Sequence, residues 1–223
     1  MTFKRILTIC GVLALAATSA FADIGYIGQN NGTVIPPLQP WAGPLGMDFD
    51  VNTAITITYM GVYNAFAPTD PQLVSPLEVA IFNRNNQNIV AGTDTTFQAS
   101  TTYTRLPGDV YDLFQSITPV TLGPGDYSVV AVGFTTSQPN GNQGFAGGVG
   151  ATEGITNSSI SYVGASRYDY TPGLYLPTVV DGGPADRYDA GTFATPEPGF
   201  YSIFAVFALG LTALATARRR KNA

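Results

Sequence analysis

The chain predicts an all-β fold: an antiparallel two-sheet β-sandwich, jelly-roll-like, set between an N-terminal signal helix and a C-terminal transmembrane helix. Three observations carry this expectation. Short runs rich in β-branched and aromatic residues recur through the middle of the chain. Glycine- and proline-rich turns separate them, in a chain of 223 residues with 25 Gly and 16 Pro. No amphipathic helical period appears outside the two apolar terminal segments.

In order, residues 23–44 are rich in Gly, Asn and Pro and predict an extended N-terminal segment. Leu45, Met47, Phe49 and Val51 alternate with Gly46, Asp48 and Asp50, the period of a half-buried strand. Residues 54–63 (AITITYMGVY) form a long strand, and the three prolines of 64–76 a loop. Residues 77–83 and 89–97 flank the polar turn 84–88 as a hairpin. A strand over 114–122 contains Pro119, which belongs at an edge or a bulge. After the Gly123-Pro124-Gly125-Asp126 turn, residues 127–134 (YSVVAVGF) are the most apolar run and predict a central strand. Residues 135–154 hold six glycines and predict a long mobile loop, with Phe145 as its one anchor. A strand over 158–163, a tyrosine-rich stretch over 167–176, a Gly- and Asp-rich loop over 181–189 and a closing strand over 191–194 complete the domain.

The ends read as addresses. Lys4-Arg5 precedes an apolar stretch from Ile6 to Ala17, and Ala20-Phe21-Ala22 is the small-x-small pattern of a signal-peptidase site, so 1–22 is a signal peptide. At the other end Thr195-Pro196-Glu197-Pro198-Gly199 leads into an uncharged apolar run from Phe200 to Ala217, then Arg218-Arg219-Arg220-Lys221. Those 18 residues suffice to span a bilayer core as a helix, and the cations mark its cytoplasmic side. A plain uncut anchor is the simpler reading of the same residues. Box, span and basic cluster, in that order at the chain's end, resemble the PEP-CTERM sorting tail of exported bacterial proteins. The resemblance implies an exosortase as partner and a membrane-bound stage before processing. It also implies a final location at the cell surface or in an exopolysaccharide matrix. Three parts follow: signal peptide 1–22, exported domain 23–195 and sorting tail 196–223, with Pro196, Glu197, Pro198, Arg218, Arg219 and Arg220 as the sorting motif and Ala20 and Ala22 at the signal cleavage site.

A second resemblance covers Leu45 to Phe134. Phe49-Asp50-Val51, the 55–63 strand, Glu78-Val79-Ala80-Ile81-Phe82 and Leu122-Gly123-Pro124-Gly125-Asp126-Tyr127 are similar to a β-sandwich domain of unknown function found in PEP-CTERM proteins. It bears on the fold.

Composition excludes much chemistry. The chain has no histidine, and its single cysteine, Cys10, lies in the signal peptide. Ser-His-Asp and Cys-His catalysis, disulfides and the usual zinc ligands are therefore out. Residues 23–195 carry 14 acidic side chains against four arginines (Arg84, Arg105, Arg167, Arg187) and no lysine, a net charge of −10. Such a surface repels nucleic acid and suits neutral glycans or divalent cations, or simply solubility.

Candidate chemistry is sparse. Asp181, Asp186 and Asp189 share one loop with Gly182 and Gly183 and are the candidate metal ligands, with calcium as the ion, against the plainer reading of a solvated acidic loop. Asp48 and Asp50 fall on one strand face and read as its exposed side. Asp109 and Asp112, beside Tyr111, are the candidate acid and base for glycoside cleavage. Trp41, Tyr103, Tyr111, Tyr168, Tyr170 and Tyr175 offer rings to sugars or fill the core. The reading that follows is a non-enzymatic exported surface or matrix protein with no required cofactor. A glycan- or calcium-dependent binding module with an extracellular polysaccharide partner is the alternative, and a carboxylate-based glycoside hydrolase is a third.

Overall fold

The computed structural model describes residues 22–29, 38–144 and 148–196. The signal-peptide residues through Phe21, the sorting-motif residues Glu197, Pro198 and Arg218 to Arg220, the expected transmembrane helix and Phe145 lie outside the described residues. Asp23–Thr195 forms one compact unit. Among the described residues it is all β, without a helix. In chain order the strands are β1 (Tyr26–Ile27), β2 (Leu45–Val51), β3 (Ile55–Tyr63), β4 (Leu77–Asn83), β5 (Thr95–Phe97), β6 (Asp112–Leu122), β7 (Gly125–Val132), β8 (Gly141–Asn142), β9 (Thr152–Glu153), β10 (Ile160–Tyr168), β11 (Val179–Asp181), β12 (Tyr188–Asp189) and β13 (Gly191–Ala194).

Every pairing is antiparallel. A six-stranded sheet has the order β11-β10-β2-β7-β4-β5, and a three-stranded sheet the order β13-β3-β6. Two short ribbons, β1-β9 and β12-β8, complete the set. Apolar side chains of both larger sheets share one core: Met47, Phe49, Val79, Ile81 and Val129 from the first, Ile57, Met60, Val62, Leu113 and Phe193 from the second. Phe49 and Phe193 meet there with ring centroids 4.8 Å apart.

The apolar run at β7 lies between β2 and β4, as its two buried faces require. Pro119 sits opposite a register shift between Ile57 and Tyr59, on a strand at the sheet's edge, where its missing N–H breaks no ladder bond.

Several stretches depart from expectation, among them the strand expected over 158–163, which runs on to Tyr168 as β10, and the loop expected over 181–189, which holds β12. The hairpin partner predicted over 89–97 reduces to β5, because Gly92 takes a left-handed φ of +89° and the Thr93 hydroxyl replaces the ladder, accepting from Ile81 N–H at 3.0 Å. The loop predicted over 135–154 is partly ordered: Gln138, Asn140 and Asn142 are buried, and β8 and β9 pair with β12 and β1. The Asn140 and Asn142 side-chain amides donate to Gln39 Oε1 and the Gln138 amide donates to Asn64 Oδ1, which composition alone does not reveal.

Finally, β2 is buried on both faces rather than half-buried. Asp48, expected at an exposed face, is 1 % exposed, held by Arg167 Nε at 2.8 Å and Arg84 at 3.4 Å, and Arg84 also binds Asp50. Burial raises the Asp48 carboxyl above the usual range, and the two guanidiniums offset this only in part.

Candidate functional site

The acidic candidates separate into distinct settings. Asp181, at the end of β11, accepts from Arg187 (2.6 and 2.7 Å) and from the Tyr188 hydroxyl (2.5 Å). Asp186 faces Glu153 of β9. Asp189 is buried and accepts from Gln29 N–H at 3.0 Å. The three proposed metal ligands thus have three partner sets, and among the described residues no group of three or more acidic side chains is arranged to hold a metal ion.

What the fold does assemble is a buried acidic cluster around the N-terminal segment. Asp109 and Asp112 both accept from Gly28 N–H, at 3.2 and 2.9 Å. The Asp109 carboxylate also accepts from the amides of Tyr111 and Asp112, closing the turn before β6. Burial, then the neighbouring Asp109 carboxyl, raises Asp112 well above the usual carboxylate range; burial raises Asp189 likewise. The buried Tyr63 hydroxyl is near the same carboxylates and has no hydrogen-bond partner among the described residues. None of the ion pairs among the described residues reaches the cluster.

Asp109 and Asp112 are each 3 % exposed and are joined through the Asp112 N–H, which donates to the Asp109 carboxylate. Glycoside cleavage needs carboxyl groups roughly 5–9.5 Å apart and open to a sugar. This pair is closed to solvent and holds the Gly28 amide, while the Gln29 amide is held by Asp189.

Asp186 gives a measurable pH response. Burial, then the Glu153 carboxylate, pushes it up to about 6. The stability conferred by its proton is complete below about pH 4 and is lost as pH rises through about 6. Asp186→Asn imitates the protonated form, and Asn tolerates the left-handed backbone found there, at φ +49°. The urea midpoints of variant and wild type are expected to agree near pH 4 and to favour the variant above pH 6.5. A difference that stays constant from pH 4 to 8 would contradict the assignment.

The aromatic candidates also divide. Tyr103 packs on Phe97 at 4.8 Å, its hydroxyl bonded to Gln98, and Tyr111 lies 6.2 Å from the buried Tyr63. These are structural placements. Trp41, Tyr168 and Tyr170 instead converge at the end of β10. Their centroids are 5.7 Å (Trp41–Tyr168), 5.1 Å (Trp41–Tyr170) and 5.6 Å (Tyr168–Tyr170) apart. Tyr170 is 71 % exposed.

The corner is built rather than incidental. The Trp41 indole N–H donates to the Asp169 carbonyl at 3.0 Å, and Gly43 lies so close to that oxygen that a Cβ would overlap it. The Asp169 carboxylate accepts from Tyr170 N–H (2.7 Å) and the Thr178 hydroxyl (3.2 Å), and Tyr175 donates to the Thr171 carbonyl (2.9 Å). Leu174 and Leu176 seat the loop on Ala80, Phe82 and Val130, on the side of the six-stranded sheet away from the main core.

Sequence reasoning named the rings individually. It missed the convergence, as it missed the union of Asp109 and Asp112 with Asp189. No spacing rule joins residue 41 to 168, or 112 to 189. Comparison with known proteins yields no matching family model and no matching curated protein.

Proposed function

We propose that this is a non-enzymatic exported protein, sorted through a PEP-CTERM tail to the cell surface or an extracellular polysaccharide matrix. Its signal peptide (1–22) and tail (196–223) direct it, and a jelly-roll-like two-sheet sandwich over 23–195 is the working part. An exosortase is the processing partner, and the tail helix holds the precursor in the membrane until then.

One observation supports this most. The compact unit begins and ends where the two expected processing events would leave it, at Asp23–Thr195. Its ends are pinned together: Thr195 N–H donates to the Asp23 carbonyl at 2.9 Å, and Ile24 bridges Ala194. Among the described residues the shared core runs from Tyr26 to Phe193, inside these bounds.

The test is the intact mass of the native protein, taken separately from the cell envelope and the culture medium. A species beginning at Asp23 and ending near the Pro-Glu-Pro box is the expected result. Retention of Arg218 to Lys221 in every fraction would reduce the tail to a simple anchor and overturn the sorting reading.

The binding-module alternative is favoured by the exposed aromatic corner, and in its glycan form. A calcium-dependent form on Asp181, Asp186 and Asp189 would have to displace Arg187 and Tyr188 from Asp181.

A further inference from the structure

We infer that the corner formed by Trp41, Tyr168 and Tyr170 is a binding site for a neutral polysaccharide, resting on the exported surface or matrix role proposed above.

Tyr170 at 71 %, Val180 at 52 % and Val179 at 38 % are among the exposed large apolar side chains of the described residues. All three stand at one end of the six-stranded sheet, where Val179 of edge strand β11 pairs with Tyr168 of β10. Leaving such groups in water is unfavourable unless something covers them.

The corner is preorganised. Trp41 is locked by its N–H bond to Asp169, and the 169–178 loop by its internal hydrogen bonds and its Leu174 and Leu176 contacts. Rings held this way lose little conformational freedom when a ligand arrives. The rings meet at 80° (Trp41–Tyr168) and 54° (Trp41–Tyr170), the half-buried Trp41 and Tyr168 backing the exposed Tyr170 in an angled surface. A pyranose offers such a surface an apolar C–H face for the Tyr170 ring and hydroxyls at its edge for the phenol oxygens. The amphipathic tyrosine, apolar in body and polar at its tip, matches both.

Charge selects among glycans. The Asp169 carboxylate accepts from Tyr170 N–H, and Asp181 ends the strand whose Val179 pairs with Tyr168, in a domain of net charge −10. Arg187 is committed to Asp181 and Asn142. Uronate- or sulfate-bearing chains meet repulsion there, and neutral hexose chains do not. The ligand class is therefore a neutral hexose polysaccharide.

Trp41 is the chain's single tryptophan, so its fluorescence reports on this site alone. The mature protein would be titrated with glucose-, mannose- and galactose-based hexasaccharides, and with an alginate hexasaccharide as the anionic control. The expected result is a saturable change in Trp41 emission with at least one neutral hexasaccharide and none with alginate. Tyr170→Ala should weaken that binding about tenfold, as loss of one stacked ring implies. Tyr170→Phe, which keeps the ring, should retain most of it. Unchanged emission with all three neutral hexasaccharides would overturn the site, as would equal binding by Tyr170→Ala or a preference for alginate. Failure here leaves the masses of the processed protein untouched, so it is distinguishable from failure of the export reading.

Discussion

Phe193→Ala is expected to destabilise the domain by about 3–5 kcal/mol, the range for deleting a fully buried aromatic ring. Phe193 has 0 % exposure and belongs to β13, yet its ring packs on Phe49 of β2 in the other large sheet. It also fills the space beside Gly25, where a Cβ would come within 2.7 Å of the ring. One side chain thus joins both sheets and the N-terminal segment, so the surroundings have little room to collapse into the cavity. Native domains are stable by only about 5–15 kcal/mol, so the variant should unfold at much lower urea. Phe193→Leu, closer in volume, should lose about 1.5 kcal/mol or less. A loss below about 1 kcal/mol for the alanine variant, read from urea unfolding, would contradict this account of the core.

Arg167→Met comes second, with an expected loss of about 3 kcal/mol at pH 8. The reason is the partner left behind. Asp48 is buried to 1 % exposure on β2, and Arg167 Nε reaches both its carboxylate oxygens at 2.8 Å. Arg84, at 3.4 Å and shared with Asp50, compensates only in part. The sign of the pH dependence checks the mechanism. The Asp48 carboxyl is already raised in the folded state, and removing Arg167 raises it further. A raised carboxyl favours the fold while protonated, so the variant's deficit should shrink as pH falls toward 5 and grow above neutrality. Asp48→Asn combined with Arg167→Met should recover most of the loss, since no buried charge then lacks a partner. An equal deficit at pH 5 and 8, or no recovery in the double variant, would remove the ion pair as the cause.

Much of the fold was legible in local sequence. The positions of β2 and β3 were legible at 45–51 and 54–63 because β-branched and aromatic runs between turns mark strands locally, though the alternation at 45–51 implied an exposed face that β2 does not have. Pro119 announced an irregular edge strand, since a missing N–H constrains the backbone wherever it occurs. The 135–154 stretch failed for the opposite reason. Its glycines and amides look like solvent-exposed loop, and only their burial against Gln39 and Asn64 gives them order. The site was less legible still. Asp48 looked like an exposed carboxylate because its arginines lie 36 and 119 residues away. The Asp181, Asp186 and Asp189 trio looked like one site because the residues are near in sequence, but β11 and β12 direct them to different partners.

The sequence by itself determined the β class, the order of the main strands and the acidic surface. It also determined the absence of histidine and of any cysteine beyond Cys10, and with them the chemistries excluded. These are properties of composition and local period, which need no partner. The tertiary structure alone decided which carboxylates are paired, which are buried together and which rings meet. Trp41 reaches Asp169 across 128 residues, and Gly28 reaches Asp112 across 84. Contacts at such separations arise when sheets pair and close on a common core, and no local pattern encodes the partner.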